Sequence, residues 1–159
     1  MSMNWISDLG SANSPLYWVM NGSFVLQGVL ISVGAILMRR LFPARWSFRI
    51  PLLLFLVSGV GVLVFGLVPE DRGAQVHRLA AEVHLGAGNL AMVLMGLAMI
   101  AAAARMRFRG CITLLAGLLG LTGLVLLGLG EKEVGAMERL AAYPLTLWLT
   151  WMGFLMFHA

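Results

Sequence analysis

Five stretches of this chain are long and apolar enough to cross a bilayer, and that one feature removes most other ways of folding it. A membrane-spanning helix needs about 20 predominantly apolar residues to cross roughly 30 Å of hydrocarbon. The stretches fall at about 17–38, 50–68, 76–104, 110–130 and 140–157. No charged residue lies between Asp8 and Arg39, or between Arg49 and Glu70. The third stretch is anchored by its charge-free part, 85–104. Only 11% of the chain is charged and 60% is hydrophobic, where a soluble domain carries about 25% charge. One water-soluble core of 159 residues cannot hide five such runs. The runs are continuous rather than alternating, which argues against outer-membrane strands. Helices satisfy their backbone groups internally, as hydrocarbon demands. The expected fold class is therefore all-α: one polytopic transmembrane bundle over residues 1–159, with five spans. The first run is too long for a signal peptide and has Asp8 where a basic flank would stand. The single cysteine, Cys111, cannot form an intrachain disulfide.

Charge orients the spans. Arg39, Arg40, Arg45 and Arg49 occupy the first loop, and Arg105, Arg107 and Arg109 the third. The acids lie elsewhere: Asp8 in the N-terminal tail, Glu70, Asp71 and Glu82 around the second loop, and Glu131, Glu133 and Glu138 around the fourth. Short basic loops stay in the cytoplasm. This alternation places the N-terminus outside and the C-terminus inside an inner or plasma membrane. It also accounts for the net charge of +4. The arginine blocks are topological signals that meet anionic lipid headgroups, so nucleic acid is excluded as a partner. Pro43 and Pro51 are expected to punctuate the first loop, and 69–73 to form a turn.

Nineteen glycines, many of them inside spans, point to close helix packing. Ala116, Gly120 and Gly123 form one expected stripe, Gly28 and Ser32 a second, and Ala87 and Ala91 a third. Met92, Met95 and Met99 recur at helical spacing and are expected in the core. Beyond membrane lipids, the expected partners are a helix-packing protein or a second copy of this chain.

Chemistry-bearing side chains gather at the acidic, outer end. His77 and His84 are seven residues apart, so they share one helix side with a rise of about 10 Å between them. That separation prevents both from binding one metal directly on a regular helix. Asp8 and Ser11 approach from the tail, Asp71 from the second loop, and Glu138 and Arg139 from the fifth span. Imidazoles and carboxylates are zinc ligands and acid–base groups. The candidate catalytic residues are Asp8, Asp71, His77 and Glu138; the candidate metal ligands are Asp71, His77 and His84, with zinc as the candidate cofactor. The structural alternative is that these groups cap and pair helix ends, with Arg78 and Glu82 pairing along one helix. Inside the hydrocarbon, ionisable groups are nearly absent, and Asn21, Gln27 and Asn89 are the main polar residues.

Ile6-Ser7-Asp8-Leu9-Gly10, Pro15 and Asn21-Gly22 resemble the opening signature of the DUF998 family of bacterial and archaeal integral membrane proteins. Gly66, Pro69, Asp71 and His77 resemble its middle, and Glu138-Arg139, Tyr143-Pro144 and Trp148 its close. Members typically have six spans, so the resemblance implies a family first helix that is missing before Ser7 here. It implies no established activity. The functions expected from the whole sequence are, in order, a nonenzymatic lipid- or protein-associated membrane component, a metal-dependent lipid hydrolase with an outer-face Asp/His site, and a small transporter or channel lined by Asn21, Gln27 and Asn89.

Overall fold

The computed structural model describes residues 6–130 and 133–157, without the side chains of Ser7, Asp8 and Met156. Among the described residues there are five long helices and no strand. They are α1 (Tyr17–Met38), α2 (Trp46–Leu67), α3 (Glu70–Ala102), α4 (Arg107–Gly128) and α5 (Val134–Phe157). A short 3-10 helix, Ser7–Gly10, precedes α1, and a 3-10 turn, Ala104–Met106, precedes α4. Four of the helices have the length and apolarity of a membrane span: α1, α2, α3, and α4 with its preceding turn.

Side-chain distribution fits hydrocarbon as the surrounding solvent. Leu26, Leu30, Val60, Leu97, Leu115 and Leu147 are all exposed. The buried core is built from Phe48, Phe55, Val62, Leu145 and the expected stripe Met92, Met95 and Met99. Lipid gives no hydrophobic force between helices, so close packing has to hold them. Each successive pair of helices meets at a glycine. A Cβ on Gly28 of α1 would stand 2.7 Å from the Gly59 carbonyl oxygen of α2. On Gly61 of α2 it would meet the His84 amide of α3 at 2.9 Å, and on Gly96 of α3 the Leu114 amide of α4 at 2.6 Å. On Gly123 of α4 it would meet the Ala141 amide of α5 at 2.6 Å. The stripe on α4 runs through Gly110, Thr113, Gly117, Gly120 and Gly123. Ala116, expected in that stripe, is only half-buried, and Gly117 holds the seam instead.

α5 fastens the bundle. Thr146 accepts a hydrogen bond from Gln27 of α1 at 3.2 Å. Trp148 stacks on Phe55 of α2, with ring centres 5.0 Å apart. Its indole N–H donates to Thr113 of α4 at 2.8 Å. The Ala141 carbonyl accepts from the Asn89 amide of α3 at 2.9 Å.

Two expected loops are partly helical. Pro51 lies inside α2 rather than in the first loop. Proline there removes a bond to the carbonyl four residues back, that of Ser47, which sits in the exposed first turn. Residues 70–72 form a helical turn at the start of α3, followed by a break at Gly73 (φ −169°, ψ 64°) before the long regular part. α4 ends where Gly130 adopts a left-handed φ of 76°, a conformation that favours glycine. The acidic loop that follows includes Glu131 and Lys132, which lie outside the described residues.

Candidate functional site

The basic blocks and the acidic residues lie at opposite ends of the bundle, because successive helices reverse direction. At the acidic end, a cavity of about 950 Å³ opens among α2, α3, α4 and the start of α5. One wall is polar, with Glu70, His77, Arg78, Glu82 and Glu138; the other is apolar, with Leu85, Leu124 and Leu127. Toward this end α3 and α4 meet through side chains rather than backbone: a Cβ on Gly86 would meet the Leu124 side chain at 3.8 Å. Gly96, Gly117 and Gly120 bring them together up to Asn89, whereas a Cβ on Gly128 would touch nothing.

His77 is the best-positioned functional group. It is buried and sits one turn past the Gly73 break. Its ring stacks on Phe65 of α2 at 4.0 Å between centres. Nδ1 lies 2.9 Å from the Val68 carbonyl oxygen. A carbonyl only accepts, so Nδ1 carries the proton and Nε2 of the neutral ring presents a lone pair. That Nε2 is buried and has no hydrogen-bond partner among the described residues. Buried polar atoms are rarely left so, which makes Nε2 an unsatisfied acceptor just behind the cavity lining.

Glu138, buried in the first turns of α5, lines the same cavity and accepts a hydrogen bond from the Ile6 amide. The Asn21 amide holds the Gly10 carbonyl at 2.9 Å. The 3-10 helix containing Asp8 is thus tied at both ends, beside the site through Ile6 and to α1 through Gly10. The Asp8 side chain itself lies outside the described residues.

The remaining candidates sit apart from this pair. Asp71 is exposed on the turn before the Gly73 break and does not line the cavity. His84 faces α2, where its Nδ1 is 2.9 Å from the Ser58 hydroxyl and 3.0 Å from the Ser58 carbonyl. The Ser58 hydroxyl in turn donates to the His84 carbonyl at 2.9 Å. Among the described residues no group of three or more His, Cys, Asp or Glu side chains has the arrangement to hold a metal. Arg78 and Glu82, both exposed, form the expected pair at 3.9 Å. Asn89 uses its amide on the Leu85 and Ala141 carbonyls, and its buried oxygen faces Gly120 without a hydrogen-bond donor. It ties helices together inside a packed interior. Ser58, Phe65 and the leucine wall were not singled out by the sequence. A serine in an apolar run shows no partner until α2 and α3 are docked.

These features define an integral, multi-pass helical membrane protein with a polar cavity at one end. The sequence matches DUF998, a protein family of unknown function, over residues 1–155, and the chain belongs to that family. No curated protein and no solved structure matches it.

Proposed function

We propose that this protein is a nonenzymatic, lipid-associated membrane component whose acidic-end cavity holds an amphipathic molecule drawn from the membrane. In this reading α5 is the fifth span, the N-terminus is outside and the C-terminus is cytoplasmic. The observation that carries it is a cavity of about 950 Å³ with His77 and Glu138 on one wall and leucines on the other. Volumes of about 300–1,000 Å³ are usual for small-molecule sites. A polar head would lie beside His77, where a small turn of the ring brings the Nε2 lone pair to it, with its apolar part against Leu124 and Leu127. Glu70, Glu82 and Glu138 outnumber Arg78 on this wall, which favours a head carrying a proton donor or positive charge.

Native mass spectrometry of protein extracted directly from its own membrane tests this. The wild type is expected to carry one lipid-sized adduct, weakened in Ala81→Trp, which crowds the cavity, and in His77→Leu. An adduct-free wild type, or the same adduct in Ala81→Trp, overturns the reading.

One observation favours a second reading, the metal-dependent lipid hydrolase. The unpartnered His77 Nε2 shares a cavity with a buried carboxylate, an arrangement suited to zinc binding or acid–base work. Asp8, Asp71 and His84 are the further donors it would draw on. Elemental analysis of chelator-free protein decides it. About one zinc per chain, lost in a folded His77→Ala variant, supports the hydrolase; metal-free protein after zinc addition sinks it.

A further inference from the structure

A second groove lies at the opposite, basic end of the bundle, between α1 and α2, with a volume of about 500 Å³. Arg39 and Arg49 stand at its mouth, and Leu53 and Leu56 line its depth. From Arg49 to Leu56 is about 10 Å along the α2 axis at 1.5 Å per residue. The groove therefore runs from the charged end toward the hydrocarbon. Its wall is preorganised. Phe42 and Phe48 stack with centres 5.0 Å apart, and the Arg49 guanidinium lies 5.5 Å from the Trp46 ring centre.

Among the described residues these arginines form no ion pair with a carboxylate. The described acidic side chains, Glu70, Asp71, Glu82, Glu133 and Glu138, all belong to the other end. An anion from outside the bundle would supply a counter-charge. We propose that this groove is a binding site for one anionic phospholipid, its phosphate between Arg39 and Arg49 and an acyl chain along Leu53 and Leu56. The site is separate from the acidic-end cavity and stands whether or not that cavity binds a ligand. It differs from general attraction of a basic loop to a negative membrane surface, because Arg40 and Arg45 carry the same charge and do not line the groove.

That difference gives the test. Purified protein in neutral detergent is mixed with phosphatidylglycerol or phosphatidylcholine, and bound lipid is counted by native mass spectrometry. Working in detergent removes any effect of charge on membrane insertion. Wild type and Arg40→Gln/Arg45→Gln are expected to retain one phosphatidylglycerol and little phosphatidylcholine. Arg39→Gln/Arg49→Gln is expected to lose affinity by about fivefold for each arginine removed. Equal weakening in the two double variants, unchanged binding in Arg39→Gln/Arg49→Gln, or equal retention of both lipids overturns the site. If the Arg39/Arg49 double variant fails to fold, the single variants Arg39→Gln and Arg49→Gln are compared with Arg40→Gln on the same criteria.

Discussion

α3 and α4 are packed in two different ways along their length. Toward the basic end, Gly96 and Gly117 set one backbone against the other, with no room for a Cβ. Toward the acidic end, the same two helices meet through side chains, and these line a cavity. The change comes at Asn89, whose oxygen lies against Gly120 and whose amide reaches α5. The contrast shows how a small bundle in lipid can be both stable and receptive. Glycine contacts at one end hold the helices, so the other end is free to carry buried groups such as the unpartnered His77 Nε2.

The hardest blow to this contrast is Gly96→Leu. Its side chain would strike backbone of α4, and the expected loss is about 3 kcal/mol, read from SDS-induced unfolding in mixed micelles. Wild-type stability would mean that the closed end is not closed. Asn89→Ala is expected to cost about 1.5 kcal/mol, since it removes two interhelical or backbone bonds in an apolar interior. An unchanged midpoint would show that the transition point between the two packings lies elsewhere. At the open end the sign reverses. Gly128→Ala adds a methyl group where nothing stands within 4 Å and is expected to be stabilising by about 0.5 kcal/mol or neutral. A marked loss would mean that α3 and α4 close there. The smallest effect is Glu82→Gln, whose exposed pair with Arg78 is worth about 0.2–0.5 kcal/mol. A larger shift would place Glu82 in a buried network.

Much of this architecture is legible in the sequence because hydrocarbon imposes a simple rule on long apolar runs. The centres of the helices are where the runs are. Their ends are less legible. α5 begins at Val134 rather than near 140, because Glu138 and Arg139 are accommodated in its first turns by the cavity and by neighbouring backbone. α2 begins at Trp46 because a proline at position 51 is still near enough to the helix start to be tolerated. Within the site, a histidine at the mouth of an apolar run marks itself, and His77 and Glu138 do line one cavity. What no spacing shows is the change from backbone to side-chain contact between α3 and α4, since it depends on which glycines meet backbone and which do not. The pairing of His84 with Ser58 is hidden for the same reason.

The fastening role of α5 has a consequence for biosynthesis. Helices leave the ribosome in chain order, so α1 to α4 are made before α5. Until it arrives, the Asn89 amide lacks the Ala141 carbonyl, the Thr113 hydroxyl lacks its indole donor, and Phe55 lacks its stacked ring. α5 also carries Glu138 and Arg139 in its early turns, and it is not among the four helices with the length and apolarity of a span. Its docking is therefore the step that completes the contacts of the four earlier helices. A polypeptide halted before α5 would display polar groups to lipid at mid-depth, a mark by which membrane proteases can tell an abandoned chain from a finished one.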